Sequence, residues 1–282
     1  MRSLYTGFLC LFFCLNSVNP VFAHSVDLNS QQVTSLEKII ADLSQVQAVF
    51  IGELHDRQAH HDAQLQVIRE LHQSGADVSV GLEMFRQDGQ SELDRWVAGE
   101  IDEPQFVTIF NEHWQDWPLY REIFVYARDE KIPLIGLNIT REIVNQVARA
   151  GFASLSDRQR EKLPFATCDV SPEYRAFIRR ALGEHAGEVG NFENFCEAQL
   201  VWDMNMAKVI EDHLTQQPQR TVVVLAGSGH SWKHGIPEQL SRRGTYPFRV
   251  LLPEVPGHID LRTIDSGDAD YLLQGVDLAP LH

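Results

Sequence analysis

Short apolar runs, each closed by glycine or a polar residue, alternate along the chain with stretches where apolar residues recur every three or four positions. The short runs are rich in β-branched residues, so they read as buried strands over residues 47–52, 78–84, 132–137, 221–226 and 248–252. Residues 259–264 and 271–274 read as additional edge strands. Near-continuous apolar runs suit a largely parallel sheet covered on both faces. The stretch 59–73 carries Leu65, Ile68 and Leu71 at helical spacing and stops at Gly75. Residues 119–129 place Ile123, Phe124 and Ala127 on one side of a helix. Thr140 caps a helix holding Ile143, Val144 and Val147, which Gly151 ends. Ser171-Pro172-Glu173 puts a capping residue before a first-turn proline, opening helices over 172–182 and 192–213.

The predicted fold class is therefore α/β, a central largely parallel sheet flanked by helices. A parallel crossover needs only about a dozen residues. The stretch from about 140 to 216 is far longer and all helical, so it reads as a helical insert over the carboxyl ends of the strands.

The amino terminus follows another pattern. Arg2 precedes a dense apolar run from Leu4 to Leu15, and Val21-Phe22-Ala23 fits a signal-peptidase site. Residues 1–23 read as a signal peptide and 24–282 as one mature domain, exported to the periplasm. The apolar run is shorter than the roughly 20 residues of a spanning helix. Phe13 stands where a lipobox before Cys14 wants a small residue, so plain export is favoured over lipidation. The formal charge of −15 argues against a nucleic-acid partner. Cys168 and Cys196 remain in the mature chain, where a disulfide or two buried thiols are both open readings.

Three predicted strands end alike: Gly52-Glu53-Leu54-His55, Gly81-Leu82-Glu83-Met84-Phe85 and Gly227-Ser228-Gly229-His230. In open α/β sheets ligands bind beyond the carboxyl ends of strands. Glu53, His55, Glu83 and His230 would then share one crevice, as acid/base groups or as ligands of a divalent metal. Glu53 could instead cap the following helix. His60 and His61 read as surface residues or as supports behind the site. No Walker loop, His-Glu-x-x-His motif or nucleophile elbow is present. A second cluster is aromatic, with His113, Trp114, Trp117 and Tyr120 opening a helix where a flat apolar ligand could dock.

The ordered set Ile-Gly-Glu-Leu-His, Gly-Leu-Glu-Met-Phe, Trp-x-x-Tyr, Leu-Ile-Gly-Leu-Asn, Ala-Gln-Leu-Val-Trp-Asp-x-x-Met-Ala and Ala-Gly-x-Gly-His resembles the ChaN family. These are iron-regulated, haem-binding uptake proteins and lipoproteins of bacteria, within the Tiki/TraB/erythromycin-esterase group. The resemblance implies haem as cofactor and a role in bacterial haem-iron uptake. It also implies pairing of two subunits around stacked haems, tyrosine ligation, and contact with outer-membrane haem-uptake machinery. Tyr120 and Tyr174 are the candidate ligands, with His113 and Trp117 as further haem contacts. Phe192 and Phe195 stand where relatives often carry tyrosine. The wider group implies the alternative, a periplasmic (metallo)hydrolase using Glu53, His55, Glu83 and His230.

Overall fold

The computed structural model describes residues 24–161, 163, 168, 170–182 and 191–276. The signal-peptide reading falls on residues 1–23, outside the described residues.

The strands are β1 (His24–Asp27), β2 (Gln32–Thr34), β3 (Ala48–Glu53), β4 (Val78–Arg86), β5 (Leu134–Asn138), β6 (Thr221–Gly227), β7 (Phe248–Pro253) and β8 (Tyr271–Gln274). They form one sheet in the order β2-β1-β8-β7-β3-β6-β4-β5. From β8 to β5 every pair is parallel, and only the β1–β2 and β1–β8 pairs are antiparallel. The largely parallel α/β reading is thus what the chain adopts. The hairpin of β1 and β2 gave no period-2 apolar signal, because its exposed edge strand β2 is polar apart from Val33. Residues 259–264 do not form the expected strand. Only Val255 and Ile259 bridge there, and Asp260 instead accepts hydrogen bonds from the Gly257 and Arg262 backbone N–H groups, which folds the segment into turns.

Alternation along the strands divides the core. Val49 and Ile51 of β3, with Val80, Leu82, Val223 and Leu225, face one side. There they meet α1 (Leu36–Leu43), α2 (Gln58–Gln73), α3 (Gln90–Ala98), α4 (Glu103–His113) and α5 (Trp117–Asp129). Ala48, Phe50, Val222 and Val224 face the other side, against α6 (Arg141–Ala150), α8 (Pro172–Leu182), α9 (Phe192–Gln216) and α11 (Ile236–Ser241). Two short helices, α7 (Asp157–Arg160) and α10 (Ser228–Ser231), complete the set among the described residues.

The predicted insert therefore does two things. Its longest helix, α9, lies along the second sheet face through a stripe of Cys196, Leu200, Ala207, Ile210 and Leu214. The insert also reaches the strand ends, where Ile178 of α8 and Phe195 of α9 arrive. A disulfide between Cys168 and Cys196, Cα atoms 5.6 Å apart, ties the approach to α8 onto α9. Ser171 Oγ accepts from the Tyr174 N–H at 3.1 Å, fixing the first turn of α8 and the place of Tyr174.

No described helix is long and apolar enough to cross a membrane.

Candidate functional site

The topology explains why three separated motifs meet. β6 inserts between β3 and β4, so the ends of these three strands are immediate neighbours. Glu53 pairs in register with Gly227, and Leu82 with Leu225. The β4–β5 register is irregular between Leu82 and Arg86, where Glu83 sits. Asn138 at the end of β5 donates its side-chain N–H to the Glu83 carbonyl at 2.7 Å, holding this irregular stretch. Such bulges re-aim a side chain, here toward β6.

Glu53 is fully buried, and its carboxylate is surrounded by donors. Oε1 accepts from Tyr120 Oη at 2.6 Å and from His55 Nδ1 at 2.7 Å. Oε2 accepts from Gln64 Nε2 at 2.7 Å and lies 3.3 Å from His61 Nδ1. His61 and Gln64 are three apart on α2 and so share its inward face. Burial alone would raise the Glu53 pKa, but the bonds and charges of His55 and His61 outweigh it and hold the carboxyl well below its usual range. Burial likewise opposes a proton on His55, yet Glu53 and Glu83 raise its pKa. Glu53 is not a helix cap: its acceptors point at side chains, and the first turn of α2 has no side-chain cap.

The second centre is His230. Its Nδ1 lies 2.6 Å from Asp203 Oδ1, and its Nε2 lies 3.7 Å from Glu83 Oε1. Glu83 Oε2 accepts the Gly227 N–H at 2.7 Å, while Tyr174 Oη donates to Asp203 Oδ2 at 3.1 Å. Burial disfavours the charged imidazole, but Glu83 and Asp203 raise the His230 pKa to about 9. Asp203 is pushed upward by its complete burial, which His230 and Tyr174 only partly offset.

Both centres open on one crevice of about 490 Å³, lined by Glu53, His55, Asp56, Ile178, Phe195, Gln199 and the Gly227–His230 turn. That volume is in the range of small-molecule sites. Here glycine at 227 is a matter of space: a Cβ would stand 3.1 Å from Cε1 and Nε2 of His55, so a side chain would crowd the imidazole. The edge of Trp114 packs on His55 with ring centroids 5.1 Å apart, and Trp202 meets His230 the same way at 5.6 Å.

Glu53, His55, Glu83 and His230 are thus brought together. The four candidate haem contacts are placed differently. The Tyr120 and Tyr174 hydroxyls are buried and already donate to Glu53 and Asp203. His113 is stacked on Phe85 at 3.9 Å and its Nδ1 accepts the Arg86 N–H. Trp117 is packed in the aromatic core with Phe106, Phe110 and Phe124. None of the four lines the crevice. A divalent-metal centre at the strand ends is not formed: among the described residues no group of three or more His, Cys, Asp or Glu side chains is disposed to hold an ion. The physical reason is that Glu53 is saturated by four donors and His230 is held between two carboxylates.

Sequence reasoning missed Asp203. It left two readings open for His60 and His61; both residues are buried, and His61 supports Glu53 from behind. The signal for Asp203 was present. Cys196, Leu200, Asp203, Ala207, Ile210 and Leu214 follow the three-and-four spacing of one helix face, so a lone carboxylate interrupts a buried stripe. No such sign decided between the two readings of His61, since a polar residue in the first turn of a helix is usually solvated.

Comparison with known proteins agrees with this architecture. The chain is similar in structure to ChaN of Campylobacter jejuni, solved with cofacial haem, at a TM-score of 0.71 and 21% identity, covering 88% of this chain and 95% of that one. A weaker likeness, TM-score 0.48 and 16% identity, is to an erythromycin esterase EreC mutant in its open conformation, over 80% of this chain and 74% of that one. The type III effector HopBA1 gives a TM-score of 0.49 at 11% identity, over 83% and 90%. No curated protein matches the chain by sequence. Residues 39–240 match the model of the family described as haem-binding uptake, Tiki superfamily, ChaN. The chain belongs to that family.

Proposed function

We propose that this protein binds haem in the crevice at the carboxyl ends of β3, β4 and β6, as part of bacterial haem-iron uptake. The observation that carries the reading is the imidazole of His55, 43% exposed at its side chain, backed by a buried carboxylate and opening into the crevice. Its setting, in a chain of a haem-binding uptake family, gives the nitrogen donor a use. The other residues fit the ligand: Ile178 and Phe195 supply apolar walls for a porphyrin face, and Asp56, Gln199 and Ser228 a polar rim. Bound haem would supply iron as cargo or as a redox centre; the chain supplies orientation, shielding from water and the donor. The Cys168–Cys196 disulfide suits the oxidising periplasm that the sequence implies, and pairing of two subunits and delivery from outer-membrane machinery belong to the same reading. The test is a hemin titration of the chain beginning at His24, followed by absorbance. Saturation with a shifted Soret band is the expected result; no saturable shift would overturn the reading.

One observation favours a second reading, hydrolysis. Two imidazoles, each held at Nδ1 by a buried carboxylate, line the same crevice. Neutral His55 could take a proton from water at Nε2 while protonated His230 hydrogen-bonds a developing oxyanion. Cleavage of an aryl ester, abolished in His55→Ala and in His230→Ala, would support this; equal rates in wild type and both variants would exclude it.

A further inference from the structure

Another cavity, of about 360 Å³, lies beyond the carboxyl ends of β4 and β5 and shares no lining residue with the crevice. Its volume falls in the range of small-molecule sites, and strand carboxyl ends are where parallel α/β sheets bind ligands. Neither the haem reading nor the hydrolytic one uses it.

The polar groups of its wall are of two kinds. The amides are engaged within the chain. Gln87 Nε2 donates to Asn205 Oδ1 at 3.0 Å, and Asn205 Nδ2 donates to the Leu137 carbonyl at 2.8 Å. Asn138 Nδ2 donates to the Glu83 carbonyl, and Gln159 Nε2 to Gln146 Oε1. The donors with capacity left belong to Arg86, Thr140 and Arg158. Arg86, only 25% exposed at its side chain, is fixed by two bonds: Nε donates to Asp88 Oδ1 at 3.0 Å and Nη1 to the Glu112 carbonyl at 2.8 Å. Its Nη2 meets no acceptor among the described residues. Among the same residues the Arg158 guanidinium forms no ion pair or hydrogen bond, and the Thr140 hydroxyl makes no cap bond.

Two guanidiniums against one carboxylate, Asp88, make this wall positive in a chain of formal charge −15. Ile139 and Ile143 give it an apolar side. A guanidinium fork matches a carboxylate in shape, and the charge-assisted bonds so formed are strong. A guanidinium already fixed by its neighbours loses little freedom when it binds. We propose that this cavity is a binding site for a small organic carboxylate, its anionic end on Arg86 and Arg158 and its apolar body against Ile139 and Ile143. The site is separate from the one proposed for haem and does not depend on it.

The test is a saturation-transfer NMR titration of the chain beginning at His24 with benzoate at low ionic strength, using wild type, Arg158→Gln and Arg158→Lys. Wild type is expected to bind benzoate saturably. Arg158→Gln should bind at least about 10-fold more weakly, and Arg158→Lys, which keeps the charge but not the fork, should fall between. Benzyl alcohol, the same body without the charge, should not bind. Arg158 is exposed on the short helix α7, so these substitutions leave the fold in place, which the urea midpoint checks. No saturable benzoate binding up to about 10 mM would overturn the proposal. So would equal affinity in Arg158→Gln, or equal binding of benzyl alcohol. Haem itself carries two propionates, so the wild-type titration is repeated after saturation with hemin. Unchanged benzoate binding is expected there; loss of it would make the cavity part of the haem site and overturn a separate one. A chain that binds benzoate but not hemin would keep this site and remove the haem reading.

Discussion

Glu53 concentrates more interaction than any other single side chain at the strand ends. Four donors from two helices and the following loop converge on its two oxygens. Breaking a buried charged cluster from one side leaves its partners unpaired, so Glu53→Ala should destabilise the fold by about 3 kcal/mol in urea unfolding. Tyr120→Phe removes one donor and should cost about 1 kcal/mol. His230 gives a prediction in pH. Its folded pKa, about 9, lies above the ordinary imidazole value of 6.5 in the unfolded chain. The stability it contributes is fully present below pH 6.5 and is lost as pH rises through about 9. Asp203 on α9, Glu83 on β4 and His55 beyond β3 are the charged groups that set this window. The midpoint of thermal unfolding of the apo chain should therefore fall between pH 6.5 and 9, and His230→Asn should flatten that fall. An unchanged slope in the variant would show that another group is responsible.

At the scale of elements, the five central strands and the helices over α2, α5, α6, α8 and α9 could be read from apolar period and caps within a few residues. They could be read because burial on both faces leaves runs such as Val222-Val223-Val224-Leu225 with no polar interruption. The helices α1, α3 and α4 were not read. Helix α3 holds Gln90, Glu92, Asp94 and Arg95 around only two buried residues, Leu93 and Trp96, so its apolar period is thin. For the site, the glycine-closed strand ends pointed to Glu53, His55, Glu83 and His230, whereas the roles of Tyr120 and Tyr174 depend on which sheet neighbour each helix meets. No local pattern encodes that. The disulfide is an element-scale device as well. It closes a 28-residue separation between the approach to α8 and helix α9. A Cys168→Ser/Cys196→Ser chain should lose about 3 to 4 kcal/mol by the loop-closure argument. It should also bind hemin more weakly, because Ile178 and Phe195 on the tethered helices line the crevice. Equal midpoints for the double variant and wild type under oxidising conditions would contradict this.

For the whole molecule, the arrangement of layers decides where a ligand can go. The first helical layer, α1 to α5, supplies His61, Gln64 and Tyr120 from below Glu53. The second, α6 to α11, supplies Asp203 and the apolar wall of Ile178 and Phe195. The crevice lies where the two layers meet over the β3–β6–β4 strand ends, so a planar ligand there would touch both. A second cavity of about 360 Å³ opens beside β5, lined by Arg86, Asn138, Thr140 and Arg158 among others, and it holds no imidazole. The two cavities therefore give different answers to one measurement: diffraction at the iron absorption edge from crystals of the hemin-loaded chain. One anomalous peak per chain is expected, in the crevice beside His55. A peak in the Arg86 cavity, or on a surface away from the β3 and β6 strand ends, would contradict it.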